Sequence, residues 1–152
     1  MTKIYLRKEE KQRPQDDYDE RDDYTTCPDC GEDLEHHDCK VPRIRALNDE
    51  FRTTVGLVGA AIAKGDLFVT RGIATRGNNF VDRAVKAVRE FSDFTEDNDP
   101  YREHDCANFT LDDAECMWKI DYYDNDLNNG SPDAADPSVT RRVLTILLAE
   151  EY

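Results

Sequence analysis

Residues 27–39 read Cys27-Pro-Asp-Cys30-Gly-Glu-Asp-Leu-Glu-His36-His37-Asp-Cys39. Three thiols and two imidazoles within so short a stretch constrain the chain more than any other feature. A Cys-x-x-Cys pair followed by Gly turns tightly enough for both sulfurs to face one ion. Cys39 and one histidine would then close a tetrahedral set. His36 is the preferred fourth ligand, since its spacing to Cys39 echoes the front pair, and His37 is the alternative. Thiolate and imidazole donors suit Zn2+ best. Four protein ligands leave no open position, so the expected role is structural. With so few apolar residues nearby, metal binding would supply much of this loop's folding free energy.

The rest of the chain divides by composition. Residues 1–26 are acidic and polar, with Pro14 and the run Asp16 to Asp23, and read as largely disordered apart from a short strand over Thr2–Lys8. Residues 27–40 form the zinc-binding loop, and 41–152 hold the periodic apolar residues of a folded α+β domain. Only 38% of the residues are hydrophobic and 36% are charged. No apolar run reaches the roughly 18 residues of a membrane span, and Met1 to Glu10 lacks the apolar stretch of a signal peptide. A cytoplasmic location is therefore expected. Cysteines in such a compartment favour metal or free thiols over disulfides. Cys106 and Cys116, apart from the cluster, read as small buried residues.

Pro42 opens a helix in which Ile44, Leu47 and Phe51 share a face, ending near Thr54. Val55–Ala63 is ambiguous between apolar helix and loop. Asp66–Thr75 has strand character, with Gly72 marking a bulge. Asn78 or Asn79 is expected to cap a second helix that buries Phe80, Ala84, Val88 and Phe91. Asn108–Leu111 and Glu115–Tyr123 read as strands joined by a turn at Asp112-Asp113. In the second of them Cys116, Trp118 and Ile120 alternate with polar neighbours. Asp136-Pro137 signals a final helix that buries Val139, Val143, Ile146 and Leu147. The order predicts a small antiparallel or mixed sheet with about three helices, preceded by a zinc-stabilised loop.

The net charge of −14 is unevenly spread. Residues 93–136 carry 14 acidic and 2 basic side chains, a net of −12, whereas residues 41–92 carry 5 and 9, a net of +4. A face of one sign selects partners of the other. Free nucleic acid would be repelled by it and a nucleic-acid-binding protein attracted. The candidate partner-binding carboxylates are Asp97, Asp99, Glu103, Asp112, Asp113, Asp124 and Asp126. Arg71, Arg76, Arg83, Lys86 and Arg89 either form a basic patch or pair with the acidic block. His104-Asp105, beside Glu103, is a weak candidate for acid–base catalysis, with no nucleophile motif in support. Asp124 to Ala135 departs from a calcium loop, because its Gly falls one place late and Ala135 stands where Glu is required.

The motifs Trp118-Lys-Ile-Asp-Tyr-Tyr-Asp, Ser131-Pro-Asp-x-x-Asp-Pro, Val139-Thr-Arg-Arg-Val-Leu-Thr-Ile and Leu148-Ala-Glu-Glu-Tyr, with Phe94-Thr-Glu-Asp-Asn-Asp-Pro upstream, resemble an uncharacterised domain-of-unknown-function family. That family occurs in small proteins of proteobacterial plasmids, prophages and chromosomes. The resemblance spans about residues 43–152 and implies a bacterial protein often carried on mobile DNA. It brings no activity with it.

The leading expectation is a non-enzymatic acidic interaction protein, a nucleic-acid mimic that inhibits a DNA-binding host-defence protein of the anti-restriction or anti-CRISPR kind. The alternative is a zinc-containing regulatory or nucleic-acid-binding module using Arg43, Arg45, Arg71 and Arg76. A small hydrolase using His104 and Asp105 comes third.

Overall fold

The computed structural model describes residues 26, 27, 29–33, 39–57 and 63–152. The expected strand at Thr2–Lys8 and nearly all of the expected disordered segment lie outside the described residues, as do His36, His37 and residues 58–62. The described elements are α1 (Val41–Thr54), β1 (Gly65–Val69), α2 (Arg71–Ala74), α3 (Asn78–Glu90), β2 (Cys106–Leu111), β3 (Ala114–Tyr123) and β4 (Arg141–Leu148), closed by a 3₁₀ turn over Ala149–Glu151. The architecture is α+β, with a four-stranded mixed sheet in the order β1-β4-β3-β2. β1 runs parallel to β4, and the other two pairings are antiparallel.

α1 and α3 pack on each other and on one face of the sheet. Their apolar stripes put Leu47, Phe51, Phe80, Ala84 and Val88 against Ala107, Cys116, Trp118, Ile120, Leu144 and Ile146. Alternation in β3 places Cys116, Trp118 and Ile120 inward, as the period-2 pattern requires. Cys116 is buried, and Cys106, at the start of β2, is only partly covered. The β2–β3 hairpin turns at Asp112, whose φ of 55° is one that Asp tolerates better than most residues.

Three expectations are corrected. Residues 141–148 form a strand, not the helix signalled by Asp136-Pro137. Asp136 Oδ1 accepts hydrogen bonds from Ser138 N at 2.8 Å and Ser138 Oγ at 2.7 Å, which makes a local turn that starts no helix. The inward residues of β4 are Arg142, Leu144, Ile146 and Leu148. A buried arginine at the second strand position hid this alternation and left the apolar residues looking helical. The strand expected over Asp66–Thr75 ends at Val69, and α2 follows where a bulge was expected at Gly72. The Glu151 carboxylate accepts from Thr70 Oγ1 at 2.5 Å and from the Gly72 N–H at 3.0 Å, a negative group at the first turn of that helix. Finally, Gly77, with φ 94°, stands at the N-cap of α3 and gives it no side-chain cap. Asn79 lies inside the helix and accepts from Arg83 Nε at 3.0 Å.

Gly65 begins β1 where no side chain fits. A Cβ there would run into the Phe51 ring and approach the Arg142 carbonyl oxygen to 2.5 Å. Gly65→Ala is expected to destabilise the domain by about 1–3 kcal/mol, as overpacking does. Urea unfolding checks this, and an unchanged midpoint would mean that α1 has room to move away.

Candidate metal centre and the adjoining carboxylate groove

The Cys27–Gly31 turn is held by its backbone. Cys27 N–H donates to Glu32 O at 2.6 Å, and Gly31 N–H donates to Cys27 O at 2.8 Å. Gly31 sits at φ 76°, where a side chain is strained. A bridge between Thr26 and Asp33 closes the turn. Cys27, Cys30 and Cys39 bring their sulfurs within 4.8 Å of one another. The Cys30 and Cys39 sulfurs are 3.8 Å apart. Thiolates bound at about 2.3 Å to one tetrahedral ion stand about 3.8 Å apart, whereas disulfide sulfurs lie at about 2.05 Å.

The backbone N–H of Asp29, aided by that of Cys30, lowers the Cys27 thiol to about 7. Burial, together with the thiols of Cys27 and Cys30, pushes Cys39 up to about 11. Three thiolates this close repel one another unless a cation is among them. Three of the four expected ligands are thus brought together and could hold a metal ion. The two histidines weighed for the fourth place lie outside the described residues.

The loop leans on the domain through Arg45. Its Nη1 lies 3.4 Å from Asp29 Oδ1 and donates to the Arg102 carbonyl at 3.2 Å. Between the loop and the segment before β2 runs a groove of about 540 Å³. It is lined by Asp29, Cys30, Gly31 and Val41 on one side and Glu96, Pro100, Tyr101, Arg102 and Glu103 on the other.

His104 is placed behind this groove. Asp99, only 4% exposed, accepts the backbone N–H groups of Glu103 and His104 through Oδ1 at 3.1 and 3.2 Å. Those bonds hold a turn in which Arg102 and His104 adopt φ of 56° and 53°. His104 Nδ1 lies 3.0 and 2.9 Å from the two oxygens of Asp49 on α1. A carboxylate only accepts, so Nδ1 carries the donated proton. Nε2 stands 3.6 Å from Asp99 Oδ2. The imidazole stacks flat on Phe94, with centroids 3.7 Å apart.

Asp105 is not the partner of His104. Burial raises its carboxyl, and it accepts a bond from the Cys106 thiol. Burial and that carboxylate push Cys106 to about 11. Glu103, also raised by burial, accepts from Tyr122 Oη at 2.9 Å. Asn48 Nδ2 donates to Tyr122 Oη at 2.7 Å and to Glu103 O at 2.8 Å, and Asn48 Oδ1 accepts from Arg142 Nε at 2.8 Å. The network therefore includes Asn48, Asp49, Tyr122 and Arg142; the last two fall within the motifs quoted above, and none of the four was expected as a site residue. Asn48 was the available signal, a polar residue on the apolar stripe of α1. Nδ1 of His104 thus ties segment 99–104 to Asp49 of α1, while Nε2 faces Asp99 and the ring stacks on Phe94.

The candidate partner-binding carboxylates separate into groups. Asp97 and Asp126 are exposed. Asp99 and Glu103 are engaged as described. Asp112 forms a two-pronged pair with Arg83, both bonds at 2.7 Å, and this pairing holds its carboxyl below the usual range. Asp113 lies 3.2 Å from Arg76. Asp124 accepts the N–H groups of Asn128 and Asn129 at 2.9 and 3.1 Å. Arg76 and Arg83 of the basic set thus pair with the acidic block, while Arg71 is exposed. Exposed pairs of this kind contribute little to stability, because solvent screens them.

Among the described residues no helix is long and apolar enough to cross a membrane. No curated protein and no solved structure matches the chain. One family model does match, over residues 69–151, from the last residue of β1 to the closing turn. It takes in Asp99, Glu103, His104, Tyr122 and Arg142, and leaves out α1 and the cysteine loop. On that match the chain belongs to the family described as Protein of unknown function (DUF3768).

Proposed function

We propose that this is a non-enzymatic interaction protein that presents carboxylates to a basic, nucleic-acid-binding partner and occupies that partner's nucleic-acid site. The observation that carries this reading is the net charge of −12 over residues 93–136. Within that block Asp93, Glu96, Asp97 and Asp126 lie exposed on loops. The resemblance to proteins of mobile DNA suits an inhibitor of a DNA-binding host-defence protein. The metal is Zn2+ in a structural site, held by Cys27, Cys30, Cys39 and His36, with His37 as the alternative fourth ligand. His104, with both ring nitrogens facing carboxylates, serves as a fastening of the acidic segment. Direct nucleic-acid binding through Arg45 and Arg76 has weaker support, since both already face carboxylates of this chain.

A pull-down from nuclease-treated bacterial lysate tests the proposal. The expected result is a nucleic-acid-binding protein that competing DNA releases and that rising salt releases steeply. Capture of nucleic acid alone when nuclease is omitted would sink the proposal and favour a zinc-containing nucleic-acid module.

A further inference from the structure

We propose that the groove between the metal loop and segment 96–103 is the docking site for an arginine or lysine side chain of a polypeptide partner. The inference rests on the interaction reading above and gives it a location. The groove is a concave space of about 540 Å³ with two walls from distant parts of the chain. Asp29 projects from the metal loop on one side, and Glu96 and Glu103 stand on the other. Tyr101 on its rim is 73% exposed, an uncovered aromatic that no core contact explains. A ring beside carboxylates suits a guanidinium or ammonium group, which gains from the ring face and the negative charge together.

The cations already present are Arg102 and Arg45. Arg102 reaches Glu96 at 3.4 Å, and Glu96 remains 89% exposed in that pair. Arg45 lies 3.4 Å from Asp29 and also spends a donor on the Arg102 carbonyl. The Glu96 carboxylate, so largely exposed, remains open to a cation arriving from solvent. Burial raises the Glu103 carboxyl, Asp105 and Asp99 add to that rise, and Arg142 opposes it, so a further positive group beside Glu103 also relieves repulsion among these carboxylates. A nucleic-acid strand would meet the same carboxylates as a repulsive wall.

The test uses the whole 152-residue chain prepared with Zn2+ and a synthetic peptide of alternating arginine and glycine, titrated by calorimetry beside the same peptide with citrulline for arginine. Tyr101→Ala and Glu96→Gln are each expected to weaken arginine-peptide binding about fivefold or more. Asp82→Asn, an exposed acid on α3 outside both the groove and the 93–136 block, is expected to change it less than about twofold, as a distant screened charge does. All three side chains are exposed, so the fold is not at stake. Equal weakening by all three variants would overturn the groove while leaving a diffuse, charge-driven interaction standing. No preference for arginine over citrulline would overturn both. Tight binding of a single-stranded oligonucleotide at the groove, lost in Tyr101→Ala, would also overturn the proposal.

Discussion

Trp118→Ala is expected to leave much of the protein unfolded at 37 °C. Trp118 is fully buried in the middle of β3. Its ring meets Phe91 edge-on at 6.0 Å and Phe94 at 6.3 Å, and the Arg52 guanidinium lies 5.5 Å from its centroid. Removing a buried aromatic costs about 3–5 kcal/mol, because the cavity closes only in part. A small domain has about 5–15 kcal/mol in total. The loss would also free Phe94, the platform on which His104 stacks, so segment 99–104 should loosen with the core. Trp118→Phe separates volume from hydrogen bonding. The indole N–H has no partner among the described residues, so the phenylalanine variant, which loses less volume and no hydrogen bond, should cost clearly less than the alanine one. Urea unfolding followed by circular dichroism distinguishes the two. Equal destabilisation would mean that the N–H has a partner after all, and a mild alanine variant would mean that the site collapses freely.

Metal removal should have the second large effect, confined to one part of the molecule. The residues of the main apolar core run from Leu47 to Leu148 and include none of Cys27, Cys30 and Cys39. Chelation or Cys39→Ser is therefore expected to abolish tight binding of one Zn2+ per chain and to expose the 27–39 loop to protease. The far-UV spectrum and the main unfolding transition should stay. Structural zinc sites contribute about 10–16 kcal/mol of binding free energy in isolated peptides, so an ion bound here would supply much of what holds Cys39 beside the Cys27–Gly31 turn.

The pH dependence has a definite sign. Cys39, pushed up to about 11, is a thiol at neutral pH, and the metal requires the thiolate. Binding then releases a proton, and affinity rises with pH by about tenfold per unit for each thiol still protonated. Cobalt absorption between about pH 6 and 8 would report this. Affinity that falls or stays level as pH rises would rule out a thiolate site, and loss of the main transition on chelation would show that the core depends on the loop.

The amphipathic stripes of α1 and α3 and the alternation of β3 were readable because the helix period and the strand period each recur over several local residues. Local backbone geometry rewards such patterns without distant help. The close approach of Cys27, Cys30 and Cys39 was readable for a similar reason, since a Cys-x-x-Cys-Gly turn needs only its own N–H groups and one glycine at positive φ. The excess of carboxylates in residues 93–136 was likewise plain, though not their fates.

Tertiary structure decided the rest. Residues 141–148 became a strand because β1 and β3 flank them, each satisfying a row of backbone groups that a helix would have satisfied internally. Arg142 could face inward because Asn48, 94 residues away, and the Ala134 carbonyl receive its Nε and Nη2 donors. α2 begins where Glu151, 79 residues beyond Gly72, lends its carboxylate. Asp112 was drawn to Arg83, while Asp97 was left to solvent. The physical reason is the range of the forces. Propensity and periodicity act over a few residues and can be read along the chain. The pairing of a buried charge, a sheet neighbour or a surface carboxylate depends on groups that only the folded packing brings within hydrogen-bond distance.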